Sequence, residues 1–191
     1  MRAPATEEDL YARLDALGVA HHTQRHPPVF TVTESADLKR ALPGAHTKNL
    51  FLKDKKGALA LVCAHADARI DLNQTAALVG LGRPSFAAAD LLMAHLGVLP
   101  GSVTVFALIN DAARRVRLVL DVALLDAELV NFHPLRNDAT TALAPAGLLT
   151  FIAATGREAV IVRFDANGRP ARVELARPPN HLARQESETP S

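Results

Sequence analysis

Short apolar runs alternate along the chain with polar breaks marked by glycine or proline, and the period of each run predicts an element. In "TEEDLYARLDALG", Leu10, Leu14 and Leu17 form one helical stripe. Thr6 stands at the N-cap position, Glu7, Glu8 and Asp9 suit the positive helix start, and Gly18 ends the helix. An extended stretch, "VAHHTQRH", runs to Pro27 and Pro28. Thr33 then caps a second predicted helix, "ESADLKRAL", which Pro43 and Gly44 terminate.

"KNLFLK" and "ALALVCAHA" read as strands, joined into a hairpin by the polar turn Asp54-Lys55-Lys56-Gly57. Asp71 or Asn73 starts a helix through "QTAALVGLG", and "AAADLLMAHLG" is a further helix. The loop "GVLPGS" leads from it into a predicted strand, "VTVFALIN". "RRVRLVLD" is another strand, "VALLDAE" a short helical piece leading into "LVNFHP", and "ATTAL" a strand. "PAGLLTFIAATG" is a helix with Pro145 near its start and Gly156 after its end, and "EAVIVRF" is the last strand. Several strand pairs are joined by turns too short for a helical crossover. The pattern therefore predicts a mixed sheet with helices around it, in the α/β (α+β) class, and not a doubly wound parallel sheet. Beyond Asp165 the pattern fades, which predicts one domain over residues 1–165 and a flexible tail over 166–191.

Composition narrows the classes. At 191 residues the chain has the size of one domain and can bury a sizeable core. Net charge is +1, so a polyanion has to be met by a local patch and not by bulk attraction. The lone cysteine, Cys63, lies in an apolar run and excludes an internal disulfide and a cysteine-based zinc site. The acidic N-terminus has no signal-peptide core, and no apolar stretch approaches ~18 residues, so no membrane span is expected and a cytoplasmic setting fits.

The chain carries no phosphate-loop, dinucleotide-fold, zincin or nucleophile-elbow motif. His21, His22 and His26 cluster on the early extended stretch, but their spacing imposes no ligand geometry, and a solvated face competes with a metal site. Neither a metal nor a cofactor is expected. Three polar features interrupt apolar surroundings. In "GAHTKNLFLKDKKG", Lys48 stands at the mouth of an apolar strand. It reads either as a lysine reaching solvent from a strand end or as a cation held over a cleft, able to bind phosphate or polarise an acyl oxygen. In "GVLPGSVT" a glycine-rich turn frees backbone N–H groups to face an anion. In "NFHPLRNDATTA", His133 precedes Pro134, with Asn131, Asn137, Thr140 and Thr141 as further hydrogen-bonding groups; a capped loop and a site both fit.

Taken in order and at their spacings, "HPPVFTV", "GAHTKNLFLKDKKG", "GVLPGSVT", "FALIND" and "NFHPLRNDATTAL" resemble the YbaK/prolyl-tRNA synthetase-associated editing-domain family, most nearly its freestanding alanyl-tRNA(Pro) deacylases of the ProX type. The resemblance covers residues 5–164. It implies a mixed, largely antiparallel curved sheet surrounded by helices, and hydrolysis in trans of Ala-tRNA(Pro) to alanine and free tRNA. The physical motive is that a synthetic pocket built for proline cannot strongly reject a smaller residue, a contact difference of about 1–3 kcal/mol. An editing pocket can instead exclude the larger, correct product. The resemblance implies Lys48 as the catalytic cation. Asn49, the loop residues Gly97, Gly101, Ser102, Val103 and Thr104, and His133 would bind substrate, His133 orienting the terminal adenosine and aminoacyl group. Lys53, Lys55 and Lys56 become candidate contacts to acceptor-stem phosphates, with Arg114, Arg115 and Arg117 as helpers, against the plainer reading of a solvated hairpin tip. The implied partners are the 3′ end and acceptor stem of aminoacylated tRNA(Pro), with prolyl-tRNA synthetase as a further one. The alternatives are the sister activity on Cys-tRNA(Pro) and a non-catalytic tRNA- or synthetase-binding module. One residue departs from the pattern: the family's loop reads G-x-x-x-P, and Val105 stands where proline is expected.

Overall fold

The structure, a computed structural model, describes residues 3–28 and 42–175. The predicted helix "ESADLKRAL" lies outside the described residues except for Leu42. The first helix, α1 (Glu7–Ala16), is reciprocally capped: the Thr6 hydroxyl accepts from the Asp9 N–H, and the Asp9 carboxylate accepts from the Thr6 N–H. The "VAHHTQRH" stretch gives β1 (His21–Arg25). The predicted hairpin is β2 (Ala45–Lys53) and β3 (Leu59–His65). Asp71 caps α2 (Leu72–Leu78), and α3 spans Ala89–Leu96. A short strand that the sequence pattern does not announce, β4 (Ser85–Phe86), lies between them. Then come β5 (Val116–Asp121), β6 (Val130–Phe132), β7 (Ala139–Leu143), α4 (Pro145–Ala154), β8 (Ala159–Phe164) and β9 (Pro170–Arg172).

These strands form one sheet in the order β1-β7-β6-β2-β3-β5-β8-β9, with β4 attached to β2. The β1·β7, β6·β7, β2·β3, β2·β4 and β8·β9 pairs are antiparallel; β2·β6, β3·β5 and β5·β8 are parallel. The expected class, a mixed and largely antiparallel sheet with helices, is the one found. The central strand β3 is buried on both faces, which explains why "LALVCA" is apolar without alternation. Leu59, Leu61 and Cys63 face the larger core with Leu10 and Leu14 of α1, Leu92 and Leu96 of α3, and Leu148, Phe151 and Ile152 of α4. Ala60 and Val62 face a smaller core with Ala76 of α2. Phe106 joins the larger core through edge contacts with Phe132 and Phe151 at 5.7 and 5.3 Å.

Two further elements differ from the sequence pattern. "VTVFALIN" is a 3₁₀ helix over Val105–Asn110, not a strand. Consecutive Val105, Phe106, Ala107 and Leu108 are all buried, and a short apolar run enclosed on every side carries no period to distinguish the two. The Thr104 hydroxyl caps it by accepting from the Phe106 N–H. Val105 is thus the first helical residue, a position where proline's missing N–H and fixed φ are tolerated. The sheet also continues past Phe164: the Asp165 carboxylate accepts from the Asn167 and Arg169 N–H groups, closing a turn into β9. Among the described residues no helix is long and apolar enough to cross a membrane.

Candidate functional site

Strand β2 keeps β3 along one edge, from Thr47↔His65 to Lys53↔Leu59. On its other edge the partner changes. β6 pairs with Ala45 and His46 only, β4 pairs with Leu52 and Lys53, and the Ala87 N–H reaches the Phe51 carbonyl at 3.0 Å. Residues 47–50 therefore have no strand on that edge among the described residues, and the sheet carries a notch there. Lys48 sits in the notch, half-buried; its backbone pairs with Ala64, and its side chain makes no hydrogen bond or ion pair to another described residue. A strand's alternation gives it the same face as His46, Leu50 and Leu52.

The approach to β2 is held tightly against β6. Gly44 has φ +100°, and a Cβ there would stand 2.7 Å from the Leu129 carbonyl oxygen, so only glycine fits without a shift. The Asn131 amide donates to the carbonyls of Pro43 (2.9 Å) and Ala45 (3.4 Å), and the His46 ring bonds the Leu42 carbonyl at 3.0 Å. Where β6 parts from β2, the Thr47 hydroxyl donates to the Asn131 carbonyl at 2.8 Å. Its single proton is then used, so Thr47 Oγ1 accepts from Asn49 Nδ2 at 3.2 Å. That fixes the amide and leaves Asn49 Oδ1 buried without a partner. Asn49 lies on the opposite strand face from Lys48, so its side chain holds Thr47 and not the lysine.

His133 follows β6 directly. Its Nδ1 lies 3.0 Å from the Ala139 carbonyl, which can only accept; Nδ1 carries the proton and Nε2 is left as an acceptor. His133 stands two residues beyond Asn131, the partner of His46, past the point where β6 leaves β2. Burial, more than any other influence, holds the His133 pKa below its usual 6.5; the bond to Ala139 opposes this, nearby His26 adds to it, and the Asp138 carboxylate opposes it. The imidazole is thus neutral at pH 7. The His26 ring lies 6.5 Å from it and bonds Thr140 Oγ1 at 2.9 Å.

The segment after His133 is pinned from two sides. Arg136 clamps Asp138 and reaches Glu7 Oε2 at 3.2 Å; the buried Glu7 carboxylate also accepts from Arg25 (2.7 Å) and the Tyr11 hydroxyl (2.5 Å). Leu135 is held at φ +68° inside it, a conformation that persists only where the surroundings impose it. The glycine loop lies against this segment, for a Cβ on Gly101 would be 3.6 Å from Asn137 Nδ2. Gly97 ends α3 in the left-handed region at φ +64°, beneath Asn110. Ser102 and Thr104 are buried and Val103 is half-buried. The Ser102 N–H is used within its turn, on the Leu99 carbonyl.

Lys53, Lys55 and Lys56 lie at the other end of β2; at about 3.3 Å per residue Lys53 is roughly 17 Å from Lys48. The register Leu59↔Val116 and Ala60↔Arg117 brings the start of β5, with Arg115 and Arg117, to that same end. His21 stacks on Tyr11 and bonds the Val19 carbonyl, apart from His26. Among the described residues no group of three or more His, Cys, Asp or Glu is arranged to hold a metal ion. Glu7, Arg25 and Arg136 come from distant segments, and only Glu7 carried a sequence signal, as a helix-start acid.

A family model, the aminoacyl-tRNA editing domain, matches residues 26–151, which include Lys48, the glycine loop and His133. The chain belongs to this family. It is 33% identical over 151 residues to the prolyl-tRNA editing protein ProX of Acetoanaerobium sticklandii, covering 78% of this chain and 92% of that one. It is 42% identical over 163 residues to the bovine (Bos taurus) prolyl-tRNA synthetase associated domain-containing protein 1, covering 83% and 95%. A solved structure described as a candidate trans-editing enzyme for prolyl tRNA synthetase matches with a TM-score of 0.62 at 22% identity, over 80% of this chain and 93% of that one; the editing-domain fold is shared.

Proposed function

We propose that this editing-domain protein hydrolyses Ala-tRNA(Pro) in trans, releasing alanine and free tRNA. The observation that carries the reading is a half-buried lysine in a sheet notch, without a described partner, within the region that matches the family. Water adds to the alanyl carbonyl carbon, and negative charge gathers on the carbonyl oxygen. The Lys48 ammonium neutralises it. The bond from that carbon to the ribose oxygen of the terminal adenosine then breaks, and a proton from the attacking water ends on the ribose oxygen. Neutral His133 orients the adenosine and aminoacyl group through Nε2. Asn49 acts by holding Thr47 in place, and the loop residues Gly97, Gly101, Ser102, Val103 and Thr104 line the acyl side, which admits a methyl group and clashes with a pyrrolidine ring. Lys53, Lys55 and Lys56 take acceptor-stem phosphates, and the setting is the cytoplasm, with prolyl-tRNA synthetase as a partner.

The test is a panel of tRNA(Pro) charged with alanine, cysteine or proline. Ala-tRNA(Pro) is cleaved and Pro-tRNA(Pro) is spared. Cleavage of the cysteinyl ester alone moves the reading to the sister activity. Binding of the panel with no hydrolysis replaces it with a binding module.

A further inference from the structure

Phenylalanines 51, 106, 132 and 151 are buried, yet Phe86 leaves 61% of its surface in water. An exposed ring forfeits the burial that aromatics usually contribute. Its backbone is nevertheless fixed. Phe86 pairs with Leu52 and Ser85 with Lys53, and the next residue, Ala87, donates to the Phe51 carbonyl. The ring is therefore presented on a strand and does not dangle from a loop. Antiparallel partners share a face, so Phe86 lies on the face of Leu52, Leu50 and Lys48, on the rim of the notch. Along β2 it is about 13 Å from Lys48, the reach of a few nucleotides.

The exposed charges on the approach to β4 and in the hairpin turn are cations. Arg83 precedes Ser85, and Lys55 and Lys56 stand in the adjoining turn, all three exposed; Lys53, opposite Ser85, lies on the other sheet face. Asp90 is exposed at the start of α3, whereas Asp54 at the hairpin tip is 7% exposed. Its oxygens accept from the N–H groups of Lys56 (2.8 Å), Ala58 (3.0 Å) and Gly82 (2.9 Å), which also ties the Gly82–Arg83 stretch to the hairpin tip. The carboxylate is consumed inward and the cations face out. A rigid exposed ring framed by cations fits a single-stranded nucleic acid, with a base on the ring and phosphates on the cations.

We infer that Phe86, with the exposed Arg83 three residues before it, holds the unpaired nucleotides just upstream of the esterified adenosine. The inference rests on the reading that an aminoacylated RNA end occupies the notch. The probe is an uncharged RNA hairpin with a single-stranded 3′ tail, carrying 2-aminopurine at one tail position at a time. The protein has no tryptophan, so the probe's emission is read without interference. One tail position is quenched on binding the wild type. In Phe86→Ala that quenching disappears and affinity falls on the order of tenfold, while Phe86→Tyr retains both. On aminoacylated tRNA, Phe86→Ala raises KM more than it lowers kcat. A thermal melt equal to wild type checks that the exposed substitution leaves the fold intact. Unchanged quenching and KM in Phe86→Ala, with a hydrolytically active wild type, overturns this inference and leaves the proposed function standing. A wild type inactive on every charged tRNA whose tail quenching still depends on Phe86 does the reverse. Equal binding of a blunt-ended duplex, or loss in Phe86→Ala of binding to prolyl-tRNA synthetase alone, overturns it in favour of a duplex or protein occupant.

Discussion

Lys48 stands where one edge of β2 is unpaired among the described residues, after the β6 pairing ends and before the β4 pairing begins. Lys48→Ala is expected to lower hydrolysis of Ala-tRNA(Pro) by 100-fold or more, an order typical of a lost oxyanion donor. Its thermal melt stays near the wild type, because a half-buried strand lysine contributes little packing. Single-turnover assays beside a melt separate the two. His133 supplies a pH signature. Its pKa is depressed in the fold below 6.5, so the folded protein takes the proton less readily than the unfolded chain. Its contribution to stability is complete above pH 6.5 and drains away as pH falls from there through the lower folded value. The acid limb of kcat/KM therefore lies below pH 6.5; a limb above it would remove neutral His133 from the mechanism.

The elements that shape the notch are held by local constraints that mutation can reach. Gly44→Ala places a Cβ against the Leu129 carbonyl at a φ of +100°, and is expected to destabilise by about 2 kcal/mol or more in urea titration. The start of β5 is fastened to the turn before β8 by Asp111 and Arg157, whose side chains are 3% and 6% exposed. The Asp111 carboxylate also accepts from the Arg115 and Val116 N–H groups. Arg157→Leu strands that carboxylate in the interior and is expected to cost about 3–5 kcal/mol, again by denaturant titration. The β2–β3 hairpin, α1 with its Thr6 cap and α4 after Pro145 were readable because cap, turn and period agree in each. β4 was not, since two residues carry no period, and its pairing with β2 is a matter of where the chain returns.

The molecule as a whole is nearly neutral, at +1, yet it gathers Lys53, Lys55, Lys56, Arg83, Arg115 and Arg117 at one end of the sheet. Binding of tRNA should weaken with salt accordingly. Replacing Lys55 and Lys56 together by glutamine is expected to flatten the slope of log affinity against log salt by about one unit per lost phosphate contact, equally for any tRNA sequence. Filter binding over a salt series measures it, and an unchanged slope would return these lysines to the role of a solvated tip.

Sequence alone determined the class of fold, the hairpin that carries Lys48 and the segment that carries His133, because each of these depends on neighbours within a few residues. It also carried the family, through motifs whose order and spacing survive in one dimension. Only tertiary structure decided that β2 exchanges one edge partner for another, that Glu7 reaches Arg25 and Arg136, and that Phe86 stands outside on a basic rim. Those are long-range pairings, chosen by how the whole sheet closes, and no local period encodes them.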